Sequence, residues 1–485
     1  MALALYDVAT IRALEEAACR VEGIASFELM RRAGTAAFET LRRHWPRARR
    51  IAVVCGGGNN GGDGYVLAQL AHAAGLDVTV MQVGSPAARG DAVLAWQALR
   101  ATPVVVVETR DALARAQVVV DALFGIGLNR AVAGPACQAI ADINAAPGAC
   151  FSLDVPSGLD ADTGAARGPA VRAEVTLTFI ARKLGLETGD AREHVGRLEL
   201  ASLAIPAAAF TQVAPCASLC GWADWRRALA PRARTAHKGS SGHVLVVGGA
   251  PGMSGAPRLA AEAALRCGAG LVSVACAPAI AAGLNAGRPE IMAHGITGPD
   301  ELAPLLARAG VVALGPGLGQ SAWALGLWAA LRDTRHPLVL DADALNLLAQ
   351  DPARRADWVL TPHPGEAARL LATDTHAIAA DRAAAARALQ ARYGGTVLLK
   401  GAGTIVQADG STRVIAGGNP GMGSGGMGDV LTGVVAALHA QGMPLPDAAA
   451  AGAALHAAAG DLAAADGERG LLASDLMPAL RRLVN

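Results

Sequence analysis

The sequence predicts an α/β protein of two domains, and three observations carry that expectation. The chain has 485 residues, more than one ordinary core accommodates. Short apolar runs rich in β-branched residues alternate with helical stretches along most of it. The alternation lapses once, at residues 206–224 (PAAAFTQVAPCASLCGWAD), and then restarts.

The opening stretch, MALALYDVATIRALEEAACR, carries acids early and no basic region ahead of an apolar one, so it reads as an amphipathic helix and not as a signal peptide. A second helix follows. Apolar runs then come at 51–55 (IAVVC), 78–83, 104–107, 118–124, 150–155, 175–180 and 197–200, with helical stretches between them. Continuous apolar strands joined by helices imply a parallel sheet covered on both faces. That places a three-layer domain in residues 1–212 and a connector in 213–224. A second α/β domain, 225–485, has runs at 243–249 (HVLVVGG), 271–276, 311–315, 337–343, 358–363, 396–401 and 404–407, and an alanine-rich helical end. The halves share no repeat, so two different α/β domains are expected.

Composition excludes several classes of function. Net charge is +1 and aromatics make up 3%, which favours neither nucleic acid nor an anionic membrane as partner. The least polar long tract, Ala448 to Gly460, is too short to span a bilayer. Eight cysteines without a C-x-x-C pair read as small buried residues in a reducing cytoplasm.

In open α/β sheets ligands bind beyond the carboxyl ends of the strands, so motifs there come first. CGGGNNGGDG (55–64) contains G-x-G-x-x-G. The second strand, however, ends in Gly84 and not in the acid that would hold a ribose, so a dinucleotide-cofactor fingerprint fails its confirming test. What remains is a strand-end loop whose Asn59, Asn60 and Asp63 are too polar for packing; the competing reading is a tight turn in which asparagine tolerates positive φ. Asp121 in VVVDALFGIG, and Asp154 with Ser157 in SLDVPSGLDADTG, stand at two further strand ends. Asn60, Asp121 and Ser157 offer one anionic and several neutral oxygens, a set suited to a hard monovalent or divalent cation. Asp154 and Asp63 are the local groups able to move a proton, and Asp154 is preferred.

The second half has no P-loop signature. It offers GNPGMGSGGMGDVL from residue 418, where glycines run into a helical pattern beginning near Asp429. Backbone amides aimed at a helix N-terminus bind anions without lysine. Asp429 beside such a site points to a general base for a substrate hydroxyl, against the plainer role of helix cap. Lys400, followed by Gly401, Gly403 and Thr404, stands at a strand end; TPHPGE holds His363 between two prolines.

NNGGDG, DALFGIGL, DVPSGLDADTG and FIARKLGLETGDAREHVGRLEL resemble the N-terminal domain of the bifunctional nicotinamide-nucleotide-hydrate repair enzymes. HKGSSGHVLVVGGAPGMSGA, GPGLG, DADALNLL, TPHPGE, KGAGT and NPGMGSGGMGDVL resemble their dehydratase half. The resemblance spans the chain and implies a Rossmann-like epimerase domain followed by a ribokinase-like dehydratase domain. For the first it implies epimerisation at the hydroxyl-bearing C6 of hydrated NADH or NADPH and a potassium ion on Asn60, Asp121 and Ser157. Substrate would lie against Asn59, Asn60, Gly61, Gly62 and Asp63, against the loop Gly125, Ile126, Gly127, Leu128, Asn129, Arg130 and Ala131, and against Asp154. For the second it implies substrate contacts at Ala256, Gly317, His363 and Asp429, and nucleotide contacts at Lys400, Gly401, Ala402, Gly403, Thr404 and Gly428. Asp343 is expected near that site. The implied reaction phosphorylates the C6 hydroxyl with ADP or ATP, with magnesium, and eliminates phosphate. Small molecules are the expected partners, without nucleic acid or membrane, in a cytoplasmic homo-oligomer. Two other readings compete: a ribokinase-like vitamin or sugar kinase with an accessory domain, and a front half that only binds.

Overall fold

The computed structural model describes residues 2–86, 88–229 and 231–485. The chain divides into two compact units, one of residues 4–217 and one of residues 218–485 with residues 2–3. Inside the stretch expected as a connector, Ala217–Cys220 is a strand and Trp222–Trp225 a short helix. Periodicity fails there because both elements are too short to show any.

The first unit is built on seven strands: β1 (Arg50–Cys55), β2 (Asp77–Gln82), β3 (Val105–Val107), β4 (Val118–Ala122), β5 (Ala149–Leu153), β6 (Val175–Phe179) and β7 (Arg197–Ala201). They lie in the order β3-β2-β1-β4-β5-β6-β7, every pair parallel. The order reverses between β1 and β4, and that switch point opens a crevice at their carboxyl ends. Register places Val54 beside Asp121 and Asp121 beside Ser152. Helices α1 (Val8–Glu22), α2 (Ser26–His44) and α3 (Asn59–Ala73) precede and follow β1.

One expectation fails here. NNGGDG is not a loop but the start of α3, and the loop proper is Gly56–Gly58. Asparagine and glycine are poor helix formers, so packing overrides propensity. A Cβ on Gly61 would stand 2.0 Å from the Gly56 carbonyl oxygen, and one on Gly64 2.7 Å from the Ala122 Cβ. The glycines let a helix buried from Asn60 to Ala68 lie directly on the strands.

The second unit carries β8 (Ala217–Cys220), β9 (His243–Val247), β10 (Leu271–Cys276), β11 (Met292–Gly295), β12 (Val311–Leu314), β13 (Leu338–Leu340), β14 (Trp358–Leu360), β15 (Thr396–Leu399), β16 (Ile405–Ala408) and β17 (Ser411–Ile415). Their order is β8-β17-β16-β15-β14-β13-β12-β9-β10-β11. Among these pairings only β16 runs against its neighbours. It follows β15 after a short turn with no helix between, and such a connection can only reverse the chain. The two faces are covered by helices, of which α4 (Gly255–Arg266), α5 (Met427–Ala440) and α6 (Leu445–Ala463) bear on the site. Helix α5 packs so closely on α4 that a Cβ at Gly433 would meet the Ala260 carbonyl oxygen at 2.0 Å. No helix of the described residues is long and apolar enough to cross a membrane.

Candidate active sites

The switch point of the first unit opens into a cleft of about 960 Å³. Asn59, Asn60 and Asp63 line it from α3, Gly125–Gly127 from the loop after β4, and Asp154 from the end of β5. Gly61, Gly62 and residues 128–131 do not. A Cβ on Gly61 would meet Gly56 and one on Gly62 would meet Met30, so both glycines also serve close packing.

Asp121 is fully buried and accepts four hydrogen bonds: from Ser157 Oγ (2.6 Å), Ser157 N (2.8 Å), Ser152 Oγ (2.8 Å) and Leu123 N (3.3 Å). Burial pushes its carboxyl upward and those bonds pull it back. Asn60 donates to the carbonyls of Phe124 (2.9 Å) and Leu153 (3.2 Å), while its buried Oδ1 has no partner. A buried amide oxygen without a donor is costly. It fits an oxygen facing a cation.

Asp154 takes φ +63°, a left-handed conformation that aspartate tolerates better than most residues. That turn aims its carboxylate back across the strand ends. Oδ1 accepts from Lys183 Nζ at 2.6 Å and Phe179 N at 3.3 Å; Oδ2 accepts from Ile126 N at 3.3 Å. Lys183 is 1% exposed and also donates to Thr178 Oγ1 and the Phe179 carbonyl. Asp63 and Glu15 complete the cleft. Burial, then the charge of Asp154, raises Asp63 well above the usual carboxylate range and takes Glu15 to about 7. Sequence reasoning assigned no role to Lys183 or Glu15. The lysine stands within FIARKLGL, just past an apolar strand, and that position was its only signal.

In the second unit the glycine arc runs from Gly417 to Gly428, with positive φ at Gly417, Gly418 and Gly426. Asp461 on α6 holds its start, Oδ2 accepting from Gly418 N and Oδ1 from Asn419 Nδ2, both at 3.0 Å. Helix α5 begins at Met427 with Gly426 as its N-cap. Its first backbone bond outside the regular ladder is Val430 N to Gly426 O, so the amides of residues 427–429 lead the helix. Asp429 is therefore not a cap. It sits inside the first turn, and among the described residues its carboxyl accepts no hydrogen bond. Burial first, then Asp341, raises it to about 7, against the opposing pull of Lys400.

Lys400, expected as a nucleotide contact, is engaged by carboxylates. Its ammonium lies 2.7 Å from Asp341 Oδ1 and 3.8 Å from Glu366 Oε2. Burial alone would lower it, but those carboxylates hold it above its ordinary value. His363 caps the helix Pro364–Leu371, its Nδ1 accepting from Gly365 N (2.9 Å) and Glu366 N (3.3 Å), with the ring exposed. Gly317 and Ala256 are brought together: a Cβ on Gly317 would be 3.2 Å from that of Ala256. Asp343 opens the helix Asp343–Gln350 and accepts from Gly319 N at 2.7 Å. Asp341, Glu366, Thr361 and Thr432 were not singled out from sequence, since nothing in their local motifs shows that they meet around one carboxylate and one lysine.

Two α/β units, one with a carboxylate-lined cleft and the other with a glycine arc at a helix N-terminus, define a two-site enzyme. The NAD(P)H-hydrate dehydratase family profile matches residues 244–482, and that of the YjeF-related protein N-terminus matches residues 26–185. The chain is 47% identical over 485 residues to the bifunctional NAD(P)H-hydrate repair enzyme Nnr of Coxiella burnetii, covering 99% of each. It is 44% identical to the enzyme of that name in Escherichia coli, covering 98% of this chain and 93% of that one. A ribokinase-like superfamily protein from Enterococcus faecalis (EF1790) superposes with a TM-score of 0.51 at 29% identity, over 55% of this chain and 94% of that chain. The chain belongs to the bifunctional NAD(P)H-hydrate repair enzyme family.

Proposed function

We propose that the second unit dehydrates the S form of hydrated NADH or NADPH with ADP or ATP, and that the first interconverts the R and S forms. The carrying observation is Asp429: a carboxyl without hydrogen bonds, in the first turn of a helix whose leading amides face the end of a glycine arc. Asp429 takes the proton of the C6 hydroxyl as that oxygen attacks the terminal phosphorus of the nucleotide. The bond from phosphorus to the nucleotide breaks and AMP or ADP leaves. Loss of phosphate from C6 is driven by the ring-nitrogen lone pair, and loss of a C5 proton restores the dihydropyridine. The amides of residues 427–429 stabilise charge on the transferred group. In this reading the loop Gly401–Thr404 and Gly428 contact the nucleotide, and Ala256, Gly317 and exposed His363 contact the substrate. Magnesium accompanying the nucleotide would neutralise charge on its phosphates.

In the front cleft, Asp154 Oδ2 takes the C6 hydroxyl proton as the C6–N1 bond opens to an aldehyde. The electron pair on N1 delocalises into the carboxamide, and Asp63 or Glu15 protonates the nitrogen. Closure on the other face of the carbonyl reverses the proton transfers and inverts C6. Potassium fits Asn60 Oδ1, Asp121 and Ser157, because Oδ1 has no partner among the described residues and a carboxyl and a hydroxyl oxygen stand with it. A cation there would brace the loop from Leu123 to Gly127 against Asp154. A cysteine set without any C-x-x-C pair supports a cytoplasmic location, and a homo-oligomer remains the expectation from the family resemblance.

The test is repair of mixed epimers with ADP and magnesium. The full chain should restore all the reduced nicotinamide, Asp154→Asn only the S share, and Asp429→Asn none. A stable phosphorylated product without reduced nicotinamide would favour the kinase reading.

A further inference from the structure

We propose that Asp341 is a positioning residue for the dehydratase, holding in place Lys400 and the N-terminal part of α5, which carries Asp429. The proposal deepens the reading of Asp429 as base and rests on it. Asp341 is 1% exposed at the end of β13. Its Oδ1 accepts from Lys400 Nζ (2.7 Å) and Thr361 Oγ1 (2.9 Å), and its Oδ2 from Thr432 Oγ1 (3.1 Å). Those partners come from the ends of β14 and β15 and from α5, so one carboxylate ties two neighbouring strand ends to the helix that bears Asp429. Contact with the helix is close. A Cβ on Gly428 would lie 3.1 Å from Asp341 Oδ2 and 3.0 Å from Lys400 Nζ, so residue 428 admits no larger side chain without displacing them.

Burying this ion pair gains stability only when every lone pair is satisfied. Here all three donors are in place, and the anion lies under a helix N-terminus, where its charge is favoured. The four charged groups acting on Asp429 are Asp341 from the end of β13, Asp343 and Glu366 from the helices after β13 and β14, and Lys400 from the end of β15. His456 on α6 lies near Lys400 and is neutral above a pKa of about 4, held there by burial. Of the four, Asp341 is the largest charge influence on Asp429 and tends to keep its proton on. Lys400, drawn to Asp341, limits that effect. Asp341 is 1% exposed and its oxygens are taken by Lys400, Thr361 and Thr432, so it acts by its charge and through these neighbours.

The experiment is the pH profile of kcat for dehydration of the S hydrate by the full chain and by Asp341→Asn. With that negative charge gone, the acid limb should move down by about one pH unit, and kcat at neutral pH should fall roughly three- to tenfold. Thr432→Val removes one bond but keeps the charge; it should lower the unfolding temperature and leave the limb in place. A limb unmoved in Asp341→Asn overturns the proposal, as does an equal movement in Thr432→Val, which would assign the effect to packing. If Asp341→Asn does not fold, Lys400→Gln is compared with Asp341→Asn/Lys400→Gln, which removes both charges. The double variant should titrate at least half a unit below Lys400→Gln, and coincidence of the two overturns the proposal. Retained turnover in Asp429→Asn would instead show that the base is misassigned.

Discussion

Lys183 Nζ and Asp154 Oδ1 meet at 2.6 Å, with the lysine 1% exposed. Replacing Asp154 alone strands a buried ammonium, which should cost about 3–5 kcal/mol of front-unit stability. Asn is the cleaner substitution, because alanine would add left-handed strain at φ +63°. Asp154→Asn should slow exchange of the R and S hydrates by about 10²- to 10⁴-fold. The pair Asp154→Asn/Lys183→Met should recover part of the stability and none of the exchange. Thermal unfolding and chromatography of the epimers read the two effects separately.

Dehydration should rise with pH through about 7, where Asp429 gives up its proton. Stability runs the other way. The folded carboxyl holds its proton more tightly than the unfolded one, so its unfavourable contribution is absent below the unfolded value near 4. It grows as pH rises and is complete above about 7. Asp429→Asn should abolish turnover yet raise the unfolding temperature at pH 8 more than at pH 4. Unfolding scans at the two pH values check the sign.

Potassium should stabilise the chain where lithium or a bulky organic cation does not, because only a cation of fitting size meets Asn60 Oδ1, Asp121 and Ser157 together. At a concentration about a hundredfold above the dissociation constant the gain is about 2.7 kcal/mol. Asn60→Ala should remove that dependence and slow epimer exchange, with dehydration of the S form unchanged.

Gly61→Ala should destabilise the front unit by about 1–3 kcal/mol, since the new methyl meets a backbone oxygen that a rotamer cannot move. Gly58→Ala, one turn earlier with open space around its Cβ, should cost much less. Denaturant midpoints of the two variants compare them directly.

Much of the fold was legible from the apolar runs, because parallel strands buried on both faces leave unbroken stretches of valine, leucine and isoleucine. Strands such as Met292–Gly295 and Ser411–Ile415 were not, since edge and hairpin strands carry mixed side chains. Asp429 and Asp154 stood inside dense polar and glycine motifs and could be named. Their partners Asp341 and Lys183 could not, because each acquires meaning only when strands distant in sequence align. NNGGDG read as a strand-end loop because asparagine and glycine are poor helix formers, whereas it opens α3, where the glycines let the helix lie close to the strands.

The central claim is that the departing hydroxyl is first transferred to phosphorus. S hydrate carrying a heavy oxygen isotope in its C6 hydroxyl, turned over with ADP and magnesium, tests it most directly by mass spectrometry of the released phosphate. One labelled oxygen in every phosphate is the predicted result. Unlabelled phosphate, with the isotope in solvent water, would contradict it.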